Sequence, residues 1–363
     1  MTILVAAATA RGAAAQTVTV NPKQPLIERT RAGQSLSIDF IVENPGPAGL
    51  ELLEVRLQVF DRRGHLVVRK QAQAGIDAEL PGGQTIAPNS KLLVLAPFNV
   101  FDTSIELGKL AYELVFQADD QGAARRVIPV DVVPRAFQPR TSLVLPVSGR
   151  VLVDEAHDFY AHHRREDLTS PVFADILHVT VNPVRYAYDL CVSDARGRVF
   201  VNEGKHNENW LGFGAPILAP AAGIVKESRN DIDDHVIGVT SFDIAGVLEL
   251  AATDPLAALK LFLGNYVVID HGNGELSVLA HLKKGSVTVR SGDSVRAGQH
   301  IAGMGNSGDS DFPHLHYQLT TGLALDSETL PSYFDKLILH RGEASLPNGD
   351  VALDSGDFVQ TSR

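Results

Sequence analysis

The chain has 363 residues, 32 Lys+Arg against 43 Asp+Glu, a formal net charge of -11 and 44% hydrophobic residues. That length suits two cored domains, and the apolar content excludes a disordered chain. No stretch reaches the roughly 20 uncharged apolar residues of a membrane-spanning helix, and the acidic balance argues against a nucleic-acid partner, since no concentrated basic run is present to displace counterions from phosphate. A single cysteine, Cys191, rules out an internal disulfide and a cysteine-built zinc site.

At the N-terminus, Ile3 to Ala10 is a short apolar run, and Ala13-Ala14-Ala15 before Gln16 resembles a small-residue cleavage site. No basic residue precedes the run and Arg11 interrupts it; residues 1–17 are nevertheless read as an export segment. From 18 to 137 the pattern has period two, which sends alternate side chains to one face of a pleated strand. Leu36, Ile38, Phe40 and Val42 form one such series, Leu53, Val55, Leu57 and Val59 a second, and Leu110, Tyr112, Leu114 and Phe116 a third. Turn clusters at Arg62-Arg63-Gly64, Pro81-Gly82-Gly83 and Asp120-Gln121-Gly122 separate them. Short strands at this spacing predict an immunoglobulin-like β-sandwich over 18–137. It carries no catalytic cluster, so a cell-wall or protein partner is its expected role.

Residues 138–170 read as a linker and first site segment. Over 171–325 a second all-β domain is expected, with strands near Val184 to Val192, Ile217 to Val225, Tyr266 to Asp270, Ser277 to Leu282 and Leu315 to Leu319; Val151 to Val153 reads as a further strand just before it. The one helical candidate is Ile244 to Leu263, divided by Pro255. Residues 326–363 read as a peripheral tail with a loose end.

Of the 13 histidines, all but His65 and His340 fall between His157 and His316. Histidine is the commonest metal ligand and the usual near-neutral acid or base, so this half is the chemical one. In Pro313-His314-Leu315-His316-Tyr317 the two imidazoles at i and i+2 share a strand face, about 6.5 to 7 Å apart along the chain. Such a pair suits one ring as a metal ligand and its neighbour as a proton handler, though two solvent-facing histidines on an amphipathic strand would give the same triplet.

The surrounding motifs resemble the lysostaphin/LytM-type zinc metalloendopeptidases of bacterial peptidoglycan. The resemblance rests on Gly214-Ala215-Pro216 to Val225, on Gly264-Asn265-Tyr266 to Gly272, on Leu279-Ala280-His281-Leu282, on Gly292-Asp293 to Ala302, on Gly303 to Gly308 and on Pro313 to His316, in that order. It covers about residues 185 to 320. It implies an antiparallel peptidase sheet, a catalytic Zn²⁺, His316 and Asp189 as metal ligands, and His281 and His314 as the residues that position or activate the attacking water.

One position departs from the family pattern. Where the resemblance places the first histidine ligand, four residues before Asp189, stands Arg185, which stays protonated and has no lone pair to give. The replacement candidates are His163, His162, His178 and His206. His163 is preferred because part of the family looks similar in carrying a His-His pair upstream of an Arg-Tyr-Ala-x-Asp strand. Cys191, two residues past Asp189, reads as a small buried hydrophobe, and Asp309-Ser310-Asp311 as a solvated loop.

The resemblance thus implies a secreted or periplasmic endopeptidase that hydrolyses peptidoglycan cross-links; the 228–263 insertion, by its length and apolar content, is expected to wall the substrate groove. The alternative is a degenerate module that binds cell wall or regulates an amidase. A biotinyl-type carrier domain is disfavoured, because no hairpin lysine lies between Val225 and Ile301.

Overall fold

The computed structural model describes residues 16–118 and 125–362. The export segment, apart from its last two residues, and the Asp120-Gln121-Gly122 turn lie outside the described residues. The chain forms two compact units: one reaches to Lys23 and takes up Ile38–Phe98 and Ile105–Val133, and the other takes up Gln24–Ser37, Asn99–Ser104 and Pro134–Arg363.

The first unit is a β-sandwich. One sheet holds Thr17–Asn21, Asp39–Asn44 and Ser90–Leu95; the other runs Arg126–Val132, Lys109–Ala118, Leu50–Phe60, Leu66–Gln73, with Thr85–Ile86 on its side. The period-two series supply its core. Ile38, Phe40, Val42, Val55, Val59, Leu110, Leu114 and Phe116 are fully buried, and Phe40 of one sheet meets Tyr112 of the other edge-on at 5.0 Å.

The span 18–137 expected for this domain needs correction, because part of it belongs to the second unit. Leu26–Thr30 and Gly33–Leu36 form a hairpin that, with Val100–Phe101 and Arg135–Ala136, makes a separate four-stranded sheet. The hairpin is tied into the second unit by ion pairs from Arg31 to Asp354 and Asp357 and by Glu28 to the buried His157. Such pairs link distant parts of the sequence, which local periodicity does not report.

The second unit is built on an 11-stranded sheet whose central order is Gly223–Arg229, Asn265–Asp270, Leu276–Leu282, Leu315–Thr320, Tyr188–Ser193 and Arg150–Glu155. Its pairings are antiparallel. Leu279, Leu315, Tyr317, Leu319, Tyr188 and Leu190 fill the core on one face. The tail is not loose: Phe358–Thr361 pairs with Arg150–Leu152, and Leu337–Arg341 pairs with it in turn. Alternating Val and Leu positions too few to stand out from a polar background bury Val359 and Leu339 completely or nearly so. The predicted helical insertion is two helices, α1 (Ile244–Ala251) and α2 (Pro255–Leu261), each capped by an aspartate side chain, Asp243 and Asp254. Pro255 begins α2 at a position where its missing N–H costs nothing.

Candidate metal centre

Strand alternation builds the site. Because Leu315, Tyr317 and Leu319 face the core, His316, Gln318 and Thr320 face the other way. Register sets Asp189 opposite His316 on one side and Ala280 opposite His316 on the other, so Asp189 shares the His316 face. His281 follows Ala280 and would by alternation turn to the core. Its left-handed backbone, φ 58°, breaks the alternation and brings its ring to 5.6 Å from that of His316 and 4.8 Å from that of His314. A left-handed histidine costs free energy, and sites of this kind are where such strain is found.

The remaining member comes from a loop. His163 opens a 3-10 turn, His163–Arg165, whose carbonyls are held by the buried Asn182: its Nδ2 donates to the His163 carbonyl at 2.8 Å, and its Oδ1 accepts from the Val184 amide at 2.9 Å. The His163 ring then stands 4.9 Å from that of His316. Around the Asp189 carboxylate lie His163 Nε2 at 3.6 Å, His314 Nε2 at 3.5 Å and His316 Nδ1 at 3.2 Å. All five residues, His163, Asp189, His281, His314 and His316, are buried.

Hydrogen bonds orient the rings. His281 Nδ1 donates to the Ser307 carbonyl at 2.8 Å and His314 Nδ1 to the Phe312 carbonyl at 2.8 Å, which turns each Nε2 inward. His316 is reversed: Nε2 donates to Gln318 Oε1 at 2.9 Å, so the Nδ1 lone pair faces Asp189 Oδ1. That carboxylate oxygen is buried and accepts no hydrogen bond, and His163 Nδ1 is also buried without a partner. Two lone pairs 3.2 Å apart repel, and a buried carboxylate oxygen without a donor is costly. A cation between them removes both penalties. Two imidazole nitrogens and one carboxylate oxygen make a donor set that fits Zn²⁺ with a position left open.

Burial and the two neighbouring imidazoles hold His281 well below the usual histidine range, and burial takes His163 down to about 3; both therefore offer lone pairs at neutral pH. Burial alone would raise the Asp189 carboxyl, but the surrounding imidazoles outweigh it and hold the group well below its usual range. Burial also pulls His314 down, yet the Asp189 carboxylate and the Phe312 carbonyl more than offset this, and its net shift is upward.

Of the other candidates, His162 stays beside the cluster. His162 is exposed and its Nδ1 lies 3.4 Å from Glu155 Oε1, although it offers a ligand atom within 4.8 Å of those of His163 and Asp189. His178 and His206 are both exposed; His178 has a φ of 54°, and His206 precedes the Asn207–Asn209 turn. Arg185 is fully buried and donates to the carbonyl and hydroxyl of Ser37, a supporting contact with the hairpin. Cys191 is a buried free thiol, raised well above its usual range by burial. Sequence reasoning missed Gln318, Asn182 and the Ser307 and Phe312 carbonyls. Gln318 alone had a signal: it extends the His314, His316 series by one more alternation.

Beside the cluster opens a cavity of about 460 Å³, whose lining includes His163, His281, His316, Gln318 and apolar residues of α2. Leu256, Leu259 and Lys260 of α2 form part of its wall, and Lys260 is anchored to Glu227 at 2.7 Å.

Residues 211–327 match the model of Peptidase family M23. The matched segment holds His281, His314 and His316; Asp189 and His163 precede it. The peptidoglycan DD-endopeptidase ShyA of Vibrio cholerae is 42% identical over 74 residues, which is 20% of this chain and 15% of that protein. The peptidoglycan DD-endopeptidase ShyC of the same organism is 37% identical over 117 residues, 31% of this chain and 25% of that protein. The chain thus spans a quarter or less of these curated relatives. Among solved structures, the catalytic domain of lysostaphin from Staphylococcus simulans aligns at 18% identity with a TM-score of 0.24, over 41% of this chain and 77% of that one. The match to Peptidase family M23 thus covers residues 211–327, which contain most of the ordered motifs named above.

Proposed function

We propose that this chain is a zinc-dependent endopeptidase of the bacterial cell envelope, secreted or periplasmic, that hydrolyses peptide cross-links of peptidoglycan. The observation that carries the reading is the buried Asp189 Oδ1, which accepts no hydrogen bond and faces the lone pair of His316 Nδ1 at 3.2 Å. His163, Asp189 and His316 would hold the ion. When bound, Zn²⁺ supplies Lewis acidity toward a peptide carbonyl and lowers the pKa of a coordinated water.

The chain's own residues do the rest. His281, kept neutral by burial and by its imidazole neighbours, is the proton acceptor; its Nδ1–H is committed to the Ser307 carbonyl, so Nε2 faces the reaction. His314 holds a proton more readily because Asp189 is beside it, and is the donor toward an oxyanion on the substrate. The degenerate alternative rests on Arg185; against it, His163 lies 3.6 Å from Asp189 and supplies the imidazole that Arg185 does not. The sandwich unit is assigned to binding of wall or protein.

The expected result is one zinc per chain in the wild type, with metal content and hydrolysis of purified peptidoglycan both lost in His316→Ala and Asp189→Ala. A folded wild-type protein that takes up no zinc, or variants that hydrolyse undiminished, would end the proposal.

A further inference from the structure

The cavity beside the candidate centre has two kinds of surface. Phe173, Leu256, Leu259, Phe262 and Leu263 make an apolar wall, and the carboxyl groups of Glu166 and Asp309 share the same lining. Neither carboxylate makes a side-chain hydrogen bond or ion pair among the described residues. Both are raised on balance, Glu166 by burial and by the charge of Asp309, and Asp309 by burial and by Asp311, with the His162 imidazole of the same lining offsetting part of the shift at each. Lys260, the lysine in this lining, is committed to both oxygens of Glu227 at 2.8 and 2.7 Å. His163, 5% exposed, also lines the cavity, and its buried Nδ1 has no hydrogen-bond partner.

Resting on the peptidase reading above, we propose that this cavity is the specificity pocket for a substrate residue with an aliphatic stem and a terminal ammonium group. The stem covers the apolar wall and the ammonium meets Glu166 and Asp309. A side chain ending in a carboxylate would be repelled. A wholly aliphatic one would take water from the Glu166 carboxylate and give it no partner, at a cost in free energy. An alkylammonium satisfies both surfaces at once.

The test uses the full chain treated with chelator, so that nothing is cleaved, and calorimetric titration with acetyl-Ala-Lys-Ala-amide and with the same peptide carrying norleucine or glutamate in place of lysine. The lysine peptide is expected to bind about tenfold tighter than the norleucine peptide, a factor equal to about 1.4 kcal/mol, and the glutamate peptide weakest. In the double variant Glu166→Gln, Asp309→Asn the lysine preference should vanish while the melting temperature holds. Equal binding of lysine and norleucine, a preference that survives the double substitution, or failure of the lysine peptide to bind overturns the pocket. Peptidoglycan hydrolysis is measured separately on the metal-loaded protein: its absence alongside an intact lysine preference would remove the peptidase reading and not the pocket.

Discussion

At Asp189 a single carboxylate organises four histidines. Its charge is held by the imidazoles around it, and it in turn shifts His314 upward. The ligand lone pairs are aimed by partners one layer out, and Gln318 is the most consequential of these. It fixes His316 with Nε2 protonated and Nδ1 free. Replacing Gln318 with leucine should lower zinc affinity by about 10- to 100-fold, measured by competition with a chromophoric chelator, while the melting temperature changes little; an unchanged affinity would show that His316 needs no such partner. His314 and His316 were legible in the sequence because alternation is a local property. The proposed first ligand was not: Arg185 stands where the family pattern puts an imidazole, and His163 arrives by a loop whose path depends on Asn182, a contact 19 residues away.

Among the elements, the α1–α2 insertion sets the cavity wall. α2 is tethered through Lys260 and Glu227, with the Tyr266 hydroxyl donating to the same carboxylate. Burial raises the Glu227 carboxyl, but the lysine and the tyrosine outweigh it, and its net position is below the free value of 4.5. The stability this tether adds is therefore fully present above pH 4.5 and is lost as pH falls through the lower folded value. Melting temperatures taken from about pH 3 to 7 should show a shallower acid decline for Glu227→Gln than for the wild type, with the two curves converging at low pH. Parallel curves would mean that the tether contributes nothing. The insertion's helices were predictable from Pro255 and the leucine spacing. That α2 faces the site was an inference from length, and only its packing decides it.

Across the whole molecule, the second unit is held together by segments far apart in sequence. Arg31, on the hairpin near the N-terminus, binds Asp354 and Asp357, and its Nη1 donates to Asn348 at 2.7 Å. Losing these charge-assisted contacts in Arg31→Ala should cost about 2 kcal/mol in urea unfolding; a loss within the experimental error would make the hairpin an ornament. By the same reasoning a cut at residue 138 would part this hairpin from Asp354, Asp357 and His157. No helix among the described residues is long and apolar enough to cross a membrane.

The sequence by itself determined the local terms: two all-β modules from period-two burial, the divided helical insertion from Pro255, and the chemistry-bearing half from where histidines concentrate. Each depends on residues within a few positions of one another, which fix face and turn directly. Tertiary structure decided which imidazoles gather around Asp189, that a hairpin from the first hundred residues belongs to the second unit, and that the polar tail adds strands to the main sheet. These are contacts across more than a hundred residues or around irregular loops. Their free energy comes from surfaces that exist only once the sheet has formed, and no periodicity in the chain encodes them.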